Sequence, residues 1–243
     1  MIKRLFFDIE VSPNIGFFWN PGYNLTIDYN NIIHERAVIC ACYKWEHESK
    51  VQSLTWDKDK NDFQLLKKLV DVMLQADQIV AHNGDNFDQA WIRTRCLYHG
   101  IAIPPTFVSL DTLKEARYRF RFNSNRLDYI GKFLGLGKKS ETGGFDLWKN
   151  ITLYNNKKSL KQMVDYCKND VLLLESIFKK MNPYVKTNLH ISGENGTCPE
   201  CNSKKLYKQG TRITASGTKY TRYQCNDCGK WHQSRIKKNE KNS

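Results

Sequence analysis

Two carboxylates interrupt the apolar run near the start of this 243-residue chain. Residues 4–11 read Arg-Leu-Phe-Phe-Asp-Ile-Glu-Val, a composition that predicts a buried β-strand. Asp8 and Glu10 are two positions apart, so both side chains project from one face of that strand. Ionised carboxylates on a buried face repel each other and are costly to desolvate, which a bound cation would offset. Since Mg²⁺ and Mn²⁺ accept carboxylate oxygens, the strand predicts one side of a metal site.

Two further acidic positions lie beside apolar sequence. Residues 79–88 begin as a strand-like run, break at Asn-Gly and lead into a helical pattern, so Asp88 is predicted near a helix start. Residues 160–174 carry apolar positions at helical spacing. Tyr166 and Asp170 are i and i+4 in that helix and share one face, where a phenol beside a carboxylate can orient a water.

In this order, the three motifs resemble those of the DEDD superfamily of 3′-5′ exonucleases, in the tyrosine-bearing branch related to polymerase proofreading domains. The match consists of Asp-x-Glu at 8–10, Asn-x-x-x-Phe-Asp at 83–88 and Tyr-x-x-x-Asp at 166–170. Each motif alone is common, whereas their order and spacing together are specific. Asp85 competes with Asp88 for the second position, but Asp88 directly follows Phe87, as the family motif requires.

The resemblance implies a metal-dependent 3′-5′ exonuclease that hydrolyses phosphodiester bonds from the 3′ end of nucleic acid, with DNA favoured. It implies that Asp8, Glu10, Asp88 and Asp170 hold two Mg²⁺ or Mn²⁺ ions, while Tyr166 orients or activates the attacking water. Two ions suit this chemistry because negative charge develops on both the attacking and the leaving oxygen. The alternative is a catalytically inactive nuclease-fold scaffold or a regulatory module that binds nucleic acid.

The predicted elements alternate between strands and helices, which indicates an α/β fold. They fit a ribonuclease-H-like mixed β-sheet flanked by helices, although the strand order comes from the resemblance. Asp111 ends a strand-like run, and we expect it to cap the following helix. We assign residues 1–183 to the exonuclease domain, residues 184–235 to a zinc ribbon and residues 236–243 to a disordered basic tail.

Four cysteines near the end of the chain form two Cys-x₂-Cys pairs separated by 23 residues. Cys198, Cys201, Cys225 and Cys228 predict a tetrahedral four-thiolate site for one Zn²⁺ within a small β-rich zinc ribbon. Because four protein ligands fill the coordination sphere, this ion would be structural, and the ribbon should need it to fold. Disulfides and a redox motif are the alternatives.

Charge is unevenly distributed along the chain. The formal net charge is +13, and residues 184–243 carry 12 Lys and Arg against 4 Asp and Glu. A basic tail predicts a polyanionic partner, although it also serves solubility. We therefore expect nucleic acid as the partner, in particular DNA with a single-stranded 3′ end, and further partners among replication or repair proteins.

The candidate nucleic-acid contacts are cationic, amide or aromatic side chains in two stretches predicted to be irregular, 12–36 and 135–149, in the second acidic motif and in the ribbon. They are Trp19, Asn83, Lys138, Lys139, Lys208, Arg222 and Trp231. Aromatic faces and cations suit unstacked bases and phosphates. Two alternatives stay open: the aromatic loop around Trp19 serves hydrophobic packing, and half of the ribbon aromatics form its small core.

The other four cysteines, Cys40, Cys42, Cys96 and Cys167, lie in apolar sequence without paired spacing, and we expect free core thiols. The sequence contains no run of about 18 apolar residues. Its N-terminus enters a charged strand rather than a signal peptide. The expectation is a soluble cytoplasmic protein with no membrane partner.

Overall fold

A computed structural model of the chain describes residues 2–22, 24–137, 144–186 and 196–235. The chain divides into two compact units, Lys3–Ser176 and Ile177–Ser243 together with Met1–Ile2. The predicted domain boundaries at 183 and 235 stay predictions. The predicted contacts Lys138 and Lys139 and the predicted tail 236–243 lie outside the described residues.

The larger unit contains seven strands among its described residues. They are β1 (Arg4–Val11), β2 (Ile15–Gly16), β3 (Ile32–His34), β4 (Val38–Trp45), β5 (Gln52–Thr55), β6 (Gln78–Ala81) and β7 (Ser109–Asp111). Five of them form one sheet in the order β5-β4-β1-β6-β7, while β2 and β3 pair separately. Strands β1, β6 and β7 run parallel, and β4 is antiparallel to both of its neighbours. The prediction of a mixed sheet is confirmed.

Six helices are described. They are α1 (Phe63–Met73), α2 (Asp88–His99), α3 (Thr112–Arg119), α4 (Leu127–Phe133), α5 (Asp146–Tyr154) and α6 (Lys157–Met181). Among the described residues, no helix combines the length and the apolar character needed to cross a membrane. The prediction of an irregular stretch over residues 135–149 is wrong for residues 146–149, because α5 begins at Asp146. Polar and β-branched residues weaken the helical pattern of α5, so burial of Leu147 and Ile151 stabilises it.

The two faces of the sheet carry different kinds of side chain. On one face, Leu5, Phe7 and Ile9 of β1 join an apolar cluster with the buried residues of α1 and α2. This alternation leaves Asp8 and Glu10 on the other face. There α6 contacts β4, since the thiol of Cys42 lies 3.7 Å from the Val164 carbonyl oxygen.

A buried ion pair continues the contact between β4 and α6. Lys44 Nζ lies 2.8 Å from a Glu175 carboxylate oxygen, and both side chains are largely buried. Residues opposite each other in an antiparallel pair share a face, and Lys44 lies opposite Phe6. The helix that bears the third motif therefore packs on the sheet face that carries the first motif.

A second buried charge network joins α1 to α2 and β4. The carboxylate of Asp62 accepts hydrogen bonds of 2.8 Å from Arg95 Nε and Nη2 and from the Val38 N–H, and it lies 2.6 Å from His99 Nε2. Burial works to raise the pKa of Asp62, but the bonds from Arg95, Val38 and His99 outweigh it and lower that pKa.

The smaller unit contains an antiparallel sheet of β8 (Leu206–Ile213), β9 (Lys219–Cys225) and β10 (Trp231–Arg235), with β9 in the middle. This sheet packs on the turn Asn182–Tyr184 through Lys230, which is almost fully buried. Lys230 Nζ donates to the carbonyl oxygen and the Oδ1 of Asn182 at 2.9 and 3.0 Å. Asn182 in turn donates to Glu200, so polar contacts fix this sheet to the turn.

We predict that Asp62→Asn strongly destabilises the larger unit. The buried guanidinium of Arg95 would then face a neutral amide, and the free energy of unfolding should fall by about 3–5 kcal/mol. Urea unfolding at neutral pH measures the change. Asp71→Asn is the control, since Asp71 is exposed on α1. Equal midpoints for Asp62→Asn and the wild type would contradict the prediction.

We predict that the difference in unfolding free energy between the wild type and Asp62→Asn depends on pH. Because the folded-state pKa of Asp62 is lowered from its usual value of 3.8, its contribution is present above that value. It is lost as the pH falls through the folded-state pKa. The stability gap between wild type and Asp62→Asn should therefore narrow in acid and stay constant near neutrality.

Candidate active site and metal centre

The geometry of the site begins with a difference in strand length. The parallel register of β1 with β6 covers residues 4–6 of β1 and ends at Phe6 opposite Val80. Strand β1 continues to Val11, so Asp8 and Glu10 extend past the carboxyl end of β6. In open α/β sheets this edge is where ligands bind.

The turn between β6 and α2 brings Asp88 to this part of β1. Asp88 is the first residue of α2 and is buried, and its Oδ1 accepts a 3.1 Å hydrogen bond from the N–H of Ile9. Ile9 lies between Asp8 and Glu10 in the sequence. Three carboxylates from two motifs are thus held along one short stretch of β1.

Two small residues allow this turn. Asn83 adopts the left-handed conformation with φ 67°, which Asn tolerates better than most residues. A Cβ on Gly84 would collide with the Cβ of Ala81, so only glycine fits there without a shift of the turn. The Asn-Gly break in the sequence therefore marks a close approach of the chain to the end of β6.

Asp111 and Asp85 support the turn instead of joining the carboxylate set. Asp111 caps α3, as predicted, and its Oδ1 also accepts the Asn83 N–H at 2.9 Å. The Asp85 carboxylate accepts hydrogen bonds from Gln89, Ser109 and Lys114. Burial works to raise the pKa of Asp85, but these bonds hold it below its usual range. With three protein donors already bound, Asp85 is a poor candidate for a metal ligand.

Helix α6 contributes the third motif. The thiol of Cys167 donates to the main-chain oxygen of Asp8 at 3.4 Å and to its carboxylate at 3.5 Å. Tyr166 is half-buried beside it, and Asp170 is buried one turn further along the helix. Residues three or four apart are neighbours on a helix, so the face of α6 that contacts Asp8 through Cys167 also presents Asp170, and Asp170 in turn neighbours Tyr166.

Three thiols lie beside these carboxylates, which the sequence analysis did not foresee. Cys42 is opposite Asp8, and Cys40 is opposite Glu10, so both cysteines share the face of the acids. Hydrogen bonds with Cys167 and Cys40 lower the pKa of Cys42 to about 5. The pKa of Cys167 is raised, mainly because this thiol is buried. The prediction of free, buried thiols is confirmed for all four cysteines, Cys40, Cys42, Cys96 and Cys167.

His82 is a second residue that the sequence analysis missed. It lies between β6 and the turn, and its ring nitrogens lie 2.9 Å from Thr112 Oγ1 and 3.0 Å from the Asn125 carbonyl oxygen. The ring therefore fastens the start of α3 and the α3–α4 loop beside the turn. Nothing in the sequence around His82 indicates that its ring would bind Thr112 and Asn125.

The carboxylate set fits hard divalent cations. Asp88 and Asp170 are almost fully buried, which is costly for ionised carboxylates without a counter-charge. All the acidic side chains of the three motifs offer oxygen ligands, the type that Mg²⁺ and Mn²⁺ prefer. The identity and number of the ions stay predictions.

The four ribbon cysteines form a group whose sulfur atoms all lie within 4.8 Å of one another. Cys198 and Cys228 are 3.6 Å apart, as are Cys201 and Cys225, and all four thiols are free. A tetrahedral Zn²⁺ with bonds of about 2.3 Å requires sulfurs roughly 3.8 Å apart, whereas a disulfide requires about 2.05 Å. The arrangement fits zinc.

The pKa of one ribbon thiol reflects the loop around it. Burial works to raise the pKa of Cys225, but backbone hydrogen bonds from Cys228 and Asp227 outweigh it and lower the pKa. Such N–H groups stabilise a thiolate, the form that binds a metal.

The remaining predicted contacts differ in exposure. Trp19 is 99% exposed in the loop between β2 and β3, while Asn83 lies in the turn described above. On the ribbon, Lys208 and Arg222 are exposed, and Trp231 is 40% exposed. Tyr223 instead stacks on His232, with ring centroids 5.5 Å apart, so these two aromatics pack within the ribbon. Of the predicted contacts, Asn83 lies in the turn that leads to Asp88.

Comparison with solved structures finds a similar fold in a much larger protein. The family B DNA polymerase from the hyperthermophilic archaeon Pyrobaculum calidifontis aligns with a TM-score of 0.57 and 17% identity. The alignment covers 76% of this chain and 25% of the polymerase chain. At this identity the similarity shows the fold alone. A comparison with curated proteins finds no significant match.

A family model described as the RNase_H superfamily matches residues 31–182. The match includes Asp88, Tyr166 and Asp170 and begins after Asp8 and Glu10. It agrees with the mixed sheet flanked by helices, so the ribonuclease-H-like fold predicted from the sequence is confirmed. Since the match covers more than half of the chain, this protein belongs to the RNase_H superfamily and has its nuclease fold.

Proposed function

We propose that the chain is a metal-dependent 3′-5′ exonuclease that shortens nucleic acid, with DNA favoured, from its 3′ end. The observation that carries this proposal is the hydrogen bond from the Ile9 N–H to Asp88. It holds the carboxylate of the second motif against the strand that carries the two acids of the first. The similarity to a DNA polymerase supports nucleic acid as the substrate.

The residues of the three motifs divide into metal ligands and a water-orienting group in the proposed reaction. Asp8, Glu10, Asp88 and Asp170 would hold divalent ions, and such ions would supply positive charge that stabilises the charge developing on the phosphate oxygens. Tyr166 presents a hydroxyl, one helical turn before Asp170, that orients the attacking water.

The neighbours of these residues fix their positions. The Ile9 N–H aims the Asp88 carboxylate, and the thiol of Cys167 donates to the Asp8 carboxylate. Asp111 holds the turn through the Asn83 N–H. Positioning of this kind matters because the reaction depends on the exact placement of charge.

The alternative is an inactive scaffold that keeps the fold and binds nucleic acid. A complete set of acids on buried, ordered elements favours the enzyme, since unused buried carboxylates would only reduce stability. An oligonucleotide labelled at its 3′ or 5′ end distinguishes the two functions when Mg²⁺ or Mn²⁺ is present. An exonuclease of the proposed polarity releases the 3′ label first and shortens the 5′-labelled strand stepwise. A circular single strand should stay intact, whereas an endonuclease would cut it.

The ribbon is proposed as a structural zinc module that helps to hold nucleic acid. Its four cysteines fill a tetrahedral coordination sphere and leave no position for a substrate. The exposed Lys208 and Arg222, together with Trp231, offer cations and a ring on its surface. Replication or repair proteins are the alternative partners of this surface.

We predict that Asp8→Ala and Asp170→Ala abolish exonuclease activity because each removes a ligand of the divalent ions. Tyr166→Phe should reduce kcat by about 10²–10⁴-fold, since it removes only the water-orienting hydroxyl. The release of 3′-terminal nucleotides measures all three. Asp165→Ala is the control, because Asp165 is exposed on the same helix. Wild-type turnover in Asp8→Ala or Asp170→Ala would refute the assignment.

We predict that Cys198→Ser removes zinc and unfolds the ribbon. Three thiolates bind zinc less tightly, and the small sheet contains few buried apolar residues to replace the metal. Bound zinc, measured by mass spectrometry, should fall from one equivalent per chain, and hydrogen exchange should accelerate in β9. Cys96→Ala is the control cysteine variant, since Cys96 lies in the core of the larger unit. Unchanged zinc content in Cys198→Ser would exclude this site.

We predict that Trp19→Ala raises KM for a single-stranded oligonucleotide. A base that stacks on an exposed indole gains about 1–3 kcal/mol, so KM should rise roughly 5- to 150-fold with little change in kcat. The control is Tyr154→Ala, whose ring is 72% exposed on α5. An unchanged KM would instead support hydrophobic packing as the role of the aromatic loop.

A further inference from the structure

Arginines and aromatic residues alternate at the end of α3 and in the loop that follows. Residues 117–122 read Arg-Tyr-Arg-Phe-Arg-Phe, and Arg126 follows before α4. Residues 116–127 contain four arginines and neither Asp nor Glu. We call residues 117–133 the arginine–aromatic patch. The three acidic motifs and the ribbon do not include it.

The patch presents both its charges and its rings to solvent. The side chains of Arg117, Arg119, Arg121 and Arg126 are all exposed. Arg119 pairs with Glu115, whereas the other three form no ion pair among the described residues. A strong positive field at one site with so little local compensation fits a polyanion.

Some rings of the patch pack against each other, whereas others are exposed. Phe120 stacks on Phe122 at 5.4 Å, and Phe122 meets Phe133 edge-on at 5.4 Å. The outer rings are largely exposed, at 77% for Tyr118 and 64% for Phe133, although Arg119 lies 5.3 Å from the Tyr118 ring centroid and Tyr129 stacks on Phe133 at 6.3 Å. Both outer rings nevertheless keep most of their surface open to solvent.

The loop of the patch returns to the candidate active site. The Asn125 carbonyl oxygen lies 3.0 Å from His82 Nε2, and His82 directly precedes the turn that leads to Asp88. The Arg126 end of the patch is therefore fastened at the same sheet edge as the carboxylates. Its Arg117 end lies on the last turn of α3.

We propose that the arginine–aromatic patch binds the single-stranded segment of nucleic acid that leads into the active site, with arginines on phosphates and the open rings on bases. The proposal rests on the proposed function for the choice of nucleic acid as the polymer. Guanidinium groups bind phosphate oxygens in a bidentate manner. Exposed rings can stack only on bases that are not already stacked in a duplex, which favours a single strand.

Binding without cleavage tests the proposal. The full zinc-loaded chain, with no added Mg²⁺ or Mn²⁺, is titrated into a fluorescein-labelled single-stranded DNA of mixed sequence, and anisotropy is followed at several salt concentrations. Replacement of Arg117, Arg121 and Arg126 by Gln should weaken binding. It should also reduce the slope of log K against log salt by about 2, since each phosphate contact on a single strand contributes about 0.7.

Tyr118→Ala separates stacking from charge. Loss of one stacked base should weaken binding about 5- to 150-fold and leave the salt slope unchanged. Because this ring is exposed, the melting temperature should not change. The charge control replaces Lys58, Lys67 and Lys68 by Gln, which removes the same charge from exposed positions elsewhere in the larger unit. This control should keep the affinity and the slope of the wild type to within a factor of about 2–3.

The outcomes keep the two proposals apart. If the arginine variant binds as tightly as the lysine control while the wild type degrades DNA, the patch proposal is wrong and the nuclease stands. If the wild type binds but never degrades DNA, the nuclease is wrong and the patch stands. An acidic protein partner would be favoured, and the patch proposal overturned, if polyglutamate displaced the DNA at an equal charge concentration and Tyr118→Ala had no effect.

Discussion

The arrangement of this site depends on one hydrogen bond, from the Ile9 N–H to the Asp88 carboxylate. It forms because β1 extends beyond its parallel neighbour, so the Ile9 N–H meets the turn instead of another strand. The turn can approach only because Gly84 has no side chain to strike Ala81. Strand length, a glycine and a helix start therefore combine to bring distant acids together. The acids contribute charge, while the backbone determines their geometry.

Much of this architecture could be predicted from the sequence, because the informative patterns are local. Alternation along β1 assigned Asp8 and Glu10 to one face, and the Asn-Gly break located the turn before α2. The contacts that complete the site are not local. The thiol of Cys167 and the ring of His82 act on partners 159 and 30 or more residues away, and neither is marked by spacing. Helix α5 was missed because its stability comes from burial rather than from helix propensity.

The two candidate metal centres differ in the way they couple to folding. The carboxylates lie on long elements that an apolar core already holds, so the sheet should form without divalent ions. The ribbon joins three strands whose side chains are mostly exposed, and its sulfurs are already arranged at distances suited to zinc. Hard oxygen ligands suit ions that exchange readily, whereas four thiolates retain a soft ion. Loss of the divalent ions should stop the proposed nuclease reaction, whereas loss of zinc should unfold the ribbon.

Strand β1 also limits how the chain can change in length. Its residues alternate with a period of two between an apolar face towards α1 and α2 and a face towards α6 that carries Phe6 and both acids. Substitution at one position disturbs one face only. An insertion or deletion of a single residue just before Asp8 would move the residues that follow to opposite faces, which would place both acids in the apolar cluster and turn Ile9 towards α6. Parity along this strand is therefore a constraint on the protein as strict as the identity of the acids themselves.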